Sequence, residues 1–243
     1  MDRAEILNVP VDPFTMVGAV AYLENFLQRK EQALVVTANA EIIMEAGKQP
    51  DYLQLIRSAQ LVTPDGAGAV WAGRHLGYKI PERVAGYDLF HRLLDKAAEK
   101  HIKVFFFGGK PGVAEQAAQA AVKLYPGLDV AGCHNGYFKE TDEPVIVDEI
   151  NRSGAEILFA ALGAPKQEFW LHRHRGVLKA NILMGIGGSF DVLSGNSKRA
   201  PLWMQKASLE WLYRLCSQPY RFGRIMGTLP PFVIKVLLSR KKQ

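Results

Sequence analysis

Cysteine is scarce in this chain. There are two in 243 residues, Cys133 and Cys216, with neither a metal-ligand spacing nor a disulfide framework. That pattern points to a reducing compartment. Long hydrophobic runs are missing too. No stretch reaches the roughly 20 apolar residues of a membrane-spanning helix, and the longest late run, Phe232 to Leu238, is interrupted by Lys235. The start, Met1-Asp2-Arg3-Ala4-Glu5, lacks the basic region and apolar core of a secretion signal, so the expected location is the cytoplasm. Several catalytic signatures are absent. No two of the ten aspartates are spaced by two, so there is no D-x-D to hold a divalent ion under a sugar nucleotide. The six histidines form no H-E-x-x-H, and no G-x-S-x-G or Walker A sequence occurs. His172-Arg173-His174-Arg175 suits a helix end rather than a metal site. No metal and no cofactor is expected. Cys133 suits a buried small residue better than a nucleophile.

Acid is absent almost entirely from one end. From Lys198 onward there are ten Lys and Arg against a single acid, Glu210. The remaining 20 basic and 23 acidic residues precede it, so a body of about −3 carries a tail of about +9 within a net charge of +6. Such a split predicts an anionic partner for the tail: a membrane, a nucleic acid or a phosphorylated ligand.

What is present is alternation. The runs Ala33–Ala38, Gln60–Thr63, Lys103–Phe107, Asp129–Ala131, Ile157–Ala161 and Asn181–Ile186 read as strands. Amphipathic stretches lie between them: Pro13–Gln28, Ala67–Leu76, Tyr87–Lys100, Val113–Tyr125, Glu143–Arg152 and Gln167–Arg175. Strands that are apolar throughout are covered on both faces. The predicted fold is therefore α/β: a Rossmann-like, mostly parallel sheet flanked by helices. The turn cluster Ser194-Gly195-Asn196-Ser197 suggests a boundary, with a catalytic domain over 1–195 and a basic helical appendage over 196–243. Pro201–Cys216 reads as one helix with Leu202, Leu209, Trp211, Leu212 and Leu215 on its apolar side. Pro219, Pro230 and Pro231 are expected to break the rest of the tail into short pieces, packed loosely on the body.

Open parallel sheets bind ligands at the carboxyl ends of their strands, and several polar strand ends stand out. Leu61-Val62-Thr63-Pro64-Asp65-Gly66 places the Asp65 carboxylate at a strand tip, either for chemistry or as a helix cap. Thr37-Ala38-Asn39 ends another strand in the same way. Phe107-Gly108-Gly109-Lys110-Pro111-Gly112 is a glycine turn before a helix, whose N–H groups suit a diphosphate, or a plain tight turn. Its spacing is not the dinucleotide fingerprint. Gly185-Ile186-Gly187-Gly188-Ser189-Phe190-Asp191 admits close ligand approach, with Asp191 ready to accept from a ribose or uracil, or to cap a helix. Lys166 and Gln167 project from a helix start in Gly163-Ala164-Pro165-Lys166-Gln167-Glu168. Arg83, in a loop before a helix, suits a bidentate grip on phosphate, or is a solvated charge.

These motifs in order resemble the WecG/TagA/CpsF family of bacterial glycosyltransferases over almost the whole length. The resemblance is carried by Thr37-Ala38-Asn39, Thr63-Pro64-Asp65-Gly66, Glu82-Arg83-Val84-Ala85-Gly86-Tyr87-Asp88, Phe107-Gly108-Gly109, Gly163 to Glu168 and Gly187 to Asp191. The tail adds Arg199-Ala200-Pro201, Glu210 to Arg214, Pro219, Arg221 and Arg224. The TagA branch is the nearest in pattern. The resemblance implies inverting, metal-independent transfer of N-acetylmannosamine from its UDP form to undecaprenyl-diphosphate-linked N-acetylglucosamine. The product would be the β-linked disaccharide of the wall teichoic acid linkage unit. For that reaction the Asp65 carboxylate at its strand tip is the best-placed candidate general base, and Thr37, Asn39 and Gln167 would orient sugar or acceptor. Gly108, Gly109 and the tail arginines Arg214, Arg221 and Arg224 would face diphosphate, and Tyr137 would stack on uracil. Implied partners are a UDP-sugar donor, a lipid-diphosphate acceptor and an anionic membrane surface at the inner face of the cell membrane, with a homo-oligomer open and no nucleic acid. UDP-N-acetylmannosamine uronic acid is the alternative donor. The rival classes are a nicotinamide-dependent oxidoreductase, a nucleic-acid-binding module and a non-enzymatic membrane scaffold.

Overall fold

The structure is a computed structural model that describes residues 2–206, 210, 212–213 and 222–239. It opens with a hairpin that the hydrophobic periodicity does not announce. Strands β1 (Ala4–Ile6) and β2 (Val9–Val11) pair antiparallel across Leu7 and Asn8. Both turn residues take positive φ, 50° and 70°, as the tightest hairpin turns require. Helix α1 (Met16–Arg29) comes next, started by Thr15, whose hydroxyl accepts the Gly18 N–H.

The alternation then unfolds as β3 (Ala33–Ala38), α2 (Ala40–Ala46), α3 (Pro50–Ser58), β4 (Leu61–Pro64), α4 (Ala67–His75), α5 (Gly86–Lys100) and β5 (Lys103–Gly108). It continues through α6 (Val113–Leu124), β6 (Asp129–His134), a 3-10 turn (Glu140–Asp142) and α7 (Glu143–Ser153). Strand β7 (Ile157–Ala161), α8 (Lys166–His174), β8 (Ile182–Gly185) and α9 (Ser189–Leu193) complete the body. The short helices α2 and α3 fall where the sequence pattern predicts no element. Strands β3 to β8 form one sheet in the order β4-β3-β8-β7-β5-β6, and every pairing is parallel.

Both faces of this sheet are covered, which is why its strands are apolar throughout. Val35, Met184 and Phe159 turn toward α1, α5, α6 and α9. Leu34, Val36, Leu158 and Leu183 turn toward α2, α3, α4, α7 and α8. Strand β8 sends α9 to the first face, while its neighbours β3 and β7 send α2 and α8 to the second. The chain therefore parts above the carboxyl end of β8, where such sheets hold ligands. The outer strand β4 is covered by Asp12: its Oδ2 accepts the Val62 N–H at 2.7 Å and its own N–H donates to the Val62 carbonyl at 2.7 Å. Arg3 holds the other carboxylate oxygen at 2.9 Å. A covered edge does not recruit other strands.

In the tail, α10 (Leu202–Lys206), α11 (Phe222–Met226) and α12 (Leu229–Leu238) are helical. Of the expected helix over 201–216, Leu209, Trp211 and Leu215 lie outside the described residues. The expectation of loose packing is corrected at α12. Phe232 and Val236, one turn apart, are buried in the same apolar cluster as Ala40 and Ala69. The Phe232 ring packs over Gly68, 3.6 Å from where a β-carbon there would stand. Pro230 and Pro231 occupy the first turn, where a missing N–H costs nothing, so they start a helix rather than break one. Ile234, Leu237 and Leu238 face outward and are exposed.

Truncating a buried Phe costs on the order of 3 kcal/mol. Phe232→Ala is expected to raise hydrogen exchange across Leu229–Leu238 about a hundredfold while leaving β3 and β8 protected; unchanged exchange would show that α12 is not held by this ring. Cys133, half-buried in β6 with its thiol 3.8 Å from the Ala114 carbonyl, is pushed up to about 11 by burial and then by Glu115 and Glu149. Site-resolved alkylation at pH 8 should find Cys133 far slower than a free thiol, whose ordinary pKa is about 8.5. Modification at the free-thiol rate would contradict the buried setting.

Candidate active site

Because the six strands are parallel, their carboxyl ends share one rim. Asp65 comes directly after β4 there, and its N–H donates to the Ala38 carbonyl at 3.0 Å, which fixes it beside the end of β3. The N-cap of α4 is Gly66, at φ 86°, so Asp65 stands one residue outside the helix. Thr37 is nearly buried and lies opposite Thr63 in the β3–β4 ladder. Gly86, opening α5, packs against it; a β-carbon there would come within 2.9 Å of the Thr37 hydroxyl oxygen. Asn39 caps α2, its Oδ1 accepting the Ile42 N–H at 3.0 Å. That bond fixes the orientation of the amide and leaves its nitrogen as a donor. Asp65, Thr37 and Asn39 are thus brought together on neighbouring strand tips.

The glycine turn after β5 is stitched into the fold. Gly108, at φ 122°, lies so close to β7 that a β-carbon would be 2.5 Å from the Ala161 backbone. The Gly109 N–H donates to the Ala161 carbonyl at 2.9 Å, and its carbonyl accepts the Gly136 N–H at 2.8 Å. The Gly109 N–H is thus already used within the fold, whereas no side chain caps the start of α6. The Gly136 bond also carries the loop after β6 to the rim. There Asn135 accepts the Tyr137 N–H at 2.9 Å, and the Tyr137 ring is left 68% exposed. Lys166, first residue of α8, sets its ammonium 4.7 Å from the centre of the Phe138 ring, beside that tyrosine.

Gln167 is placed differently from expectation. It is 3% exposed, and both ends of its amide are used: Oε1 accepts the Gly187 N–H at 3.0 Å and Nε2 donates to Glu168 at 2.7 Å. It lies over Gly185, where a β-carbon would come within 2.5 Å of its amide nitrogen. Gly187 itself is at φ 54°, and Asp191 lies just beyond in the first turn of α9, its carboxylate 3.7 Å from where a Gly188 β-carbon would stand. Glu168 is fully buried. Burial pushes its carboxyl up, opposed by hydrogen bonds that include those from Gln167 and from the Tyr52 hydroxyl at 3.3 Å. Burial, then the neighbouring Glu168, pushes the Tyr52 phenol up as well.

Arg83 is not a lone cation. It pairs with Glu210 at 3.0 Å and Asp88 at 3.5 Å. Arg199 grips Asp88 with two bonds, 2.6 and 3.0 Å, approaches Glu210 at 3.5 Å and lies 4.5 Å over the Tyr87 ring. Charges alternate around this ring of four, which joins the Arg83 loop and α5 to the tail. The loop is tied to the Asp65 strand by the Val84 N–H, which donates to the Pro64 carbonyl at 3.0 Å. Arg214 and Arg221 lie outside the described residues, and only the backbone of Arg224 is described, in α11. Among the described residues no three His, Cys, Asp or Glu side chains converge as a metal site. A cleft of about 400 Å³ lies between α2, at Glu41 and Glu45, the Ala164-Pro165 turn before α8, and Gly223 and Thr228 of the tail.

Tyr52, Asp88, Glu168, Arg199 and Glu210 carry no individual signal in the sequence. The last four sit inside the family motifs, but their role depends on whom they meet. Tyr52 meets Glu168, Arg83 meets Glu210 and Arg199 meets Asp88, each across more than 100 positions. Gln167 and Glu168 meet as neighbours on a buried turn. Neither separation leaves a spacing to read.

Comparison with known proteins matches these features to one family. The chain fits the Glycosyl transferase WecG/TagA/CpsF family over residues 4–243. It is 41% identical to a Bacillus spizizenii protein over 223 residues, covering 91% of this chain and 86% of that one. It is 35% identical to a Bacillus subtilis protein, covering 100% and 94%, and 34% identical to one from Staphylococcus aureus, covering 99% and 94%. Each is named N-acetylglucosaminyldiphosphoundecaprenol N-acetyl-beta-D-mannosaminyltransferase. With the parallel α/β fold, the polar strand tips and a match across nearly its full length, this chain belongs to the WecG/TagA/CpsF family of glycosyltransferases.

Proposed function

We propose that this protein transfers N-acetylmannosamine from UDP-N-acetylmannosamine to undecaprenyl-diphosphate-linked N-acetylglucosamine, with inversion and without a metal. The observation that carries the proposal is Asp65 at the tip of β4, beside Thr37 and Asn39, in a chain whose relatives are named for this transfer.

Inversion is one in-line displacement. The acceptor hydroxyl attacks the anomeric carbon, the bond from that carbon to the UDP oxygen breaks, and the hydroxyl proton passes to the Asp65 carboxylate. UDP departs with the electron pair of the broken bond. Its growing negative charge is met by donors and cations at the rim: the start of α6 beyond Gly108 and Gly109, Lys166, Arg83, and Arg214, Arg221 and Arg224 of the tail. Tyr137, exposed beside the glycine turn, stacks on uracil, and Asp191 accepts from ribose or uracil. The Asn39 amide nitrogen and the Thr37 hydroxyl orient the sugars. Arg83 reaches phosphate by exchanging one of its two carboxylates for it, so the ring of four charges loosens as substrate enters.

The tail belongs to the lipid. Ile234, Leu237 and Leu238 form an outward apolar side on α12, within a segment rich in Lys and Arg. That combination suits an interfacial helix, and each basic residue near an anionic surface contributes roughly 1 kcal/mol. No helix among the described residues is long and apolar enough to cross a membrane. Docking at the membrane surface brings the lipid diphosphate to the rim, with the catalytic body over 1–195 and the appendage over 196–243 meeting around it.

Purified protein supplied with UDP-N-acetylmannosamine and a short-chain lipid-diphosphate N-acetylglucosamine is expected to release UDP only when acceptor is present. Asp65→Asn should bind UDP as the parent does and lose about 100- to 10,000-fold in kcat. Near-parental turnover by that variant would end the base assignment, and release without acceptor would end the transferase assignment.

A further inference from the structure

The rim after β8 depends on a buried chain of hydrogen bonds that begins on a different helix. The Tyr52 hydroxyl, on α3, donates to Glu168 Oε2 at 3.3 Å. Glu168 Oε1 accepts from Gln167 Nε2 at 2.7 Å, and Gln167 Oε1 accepts the Gly187 N–H at 3.0 Å. Tyr52 is 0%, Glu168 1% and Gln167 3% exposed, so no water competes for these bonds.

An amide can face either way. Presented with its NH2 group, Gln167 would set donor against donor at Gly187. The Glu168 oxygen decides between the two orientations, because it takes the NH2 end and leaves the amide oxygen for Gly187. Gly185 leaves the space through which this arm passes. At the far end is the turn at φ 54° that leads directly into Gly188 and Asp191. Burying a carboxyl among neutral donors is costly, and the described partners of Glu168 include no cation. A carboxyl kept in that setting has its geometric consequence at Gly187.

We propose that Glu168, itself held by Tyr52, is a positioning residue for the donor site: through Gln167 it sets the Gly187-Gly188 turn that receives the UDP-sugar. This rests on the assignment of the β8 rim to the donor. Glu168 touches neither substrate nor any reacting atom. It acts on donor affinity and leaves the acceptor side unchanged.

The test is calorimetric binding of UDP-N-acetylmannosamine to full-length protein, with melting temperature followed in parallel. Glu168→Ala is expected to weaken donor binding about tenfold or more. Glu168→Gln, which still offers an oxygen to Gln167 and an NH2 to Tyr52, should stay within about threefold of the parent. Tyr52→Phe removes one hydroxyl and keeps the ring beside Phe169, 5.4 Å away, so it folds even if Glu168→Ala does not; its expected loss is about two- to fivefold. Each loss should vanish when introduced into Gln167→Ala, because the arm through which it acts is already gone. KM for the lipid acceptor should not move. Equal donor affinity in the parent, Tyr52→Phe and Glu168→Ala would overturn the proposal, as would losses that add to that of Gln167→Ala. Failure of the parent itself to bind the UDP-sugar would instead remove the donor assignment, and this proposal with it.

Discussion

A ladder in which every strand runs the same way delivers all of its carboxyl ends to one edge, and this chain has six of them in a single sheet. Asp65, Gly108 and Gly187 are far apart in sequence, yet each lies at or just past the end of a strand that reaches that edge. The parallel arrangement also requires helical crossovers, which bury both faces and leave the strands apolar throughout. Polar residues that belong to the sheet are thereby confined to its ends. Helices leave on opposite faces at β8, the kind of switch point where open parallel sheets bind ligands.

Much of the polarity at this rim is already spent within the protein. Asn39 caps α2, Gln167 ties Gly187 to Glu168, and Gly109 closes on Ala161. Groups fixed by their neighbours meet a ligand without first being ordered, which lowers the cost of binding. The ring of Arg83, Glu210, Arg199 and Asp88 differs because its members are partly exposed. Exposed ion pairs contribute little to stability. They join Arg199 and Glu210 of the tail to the Arg83 loop and α5. The one acid of the tail, Glu210, is used for this contact.

The strands and the long helices are legible in the sequence because their hydrophobic periods are regular. Ala33–Ala38 and Ile157–Ala161 even keep the expected bounds. The hairpin at Ala4–Val11 is not legible, because its strands have three residues each and its turn, Leu7-Asn8, has no glycine. Helix α2, with seven residues, is too short to show a period. Pro230 and Pro231 read as breakers in the sequence because their position relative to a helix start is visible only in three dimensions. Motif order points to the rim, since glycines and polar residues gather at the strand ends where open parallel sheets bind ligands. What it does not show is which of those side chains are already bonded. Gln167 is expected to project into the crevice and is an internal strut; Arg83, read as a phosphate grip or a solvated charge, is already paired with two carboxylates. Long-range partners such as Asp88 and Arg199 leave no spacing to read.

The central claim is that the carboxyl ends of the parallel strands form the donor site. Hydrogen exchange of the full chain with and without UDP-N-acetylmannosamine tests it most directly. Added protection should concentrate after β5, at the loop bearing Tyr137, at the start of α8 and across Gly185 to Asp191, with the amino ends of the strands unchanged. Protection elsewhere, or none at saturating donor, would contradict it.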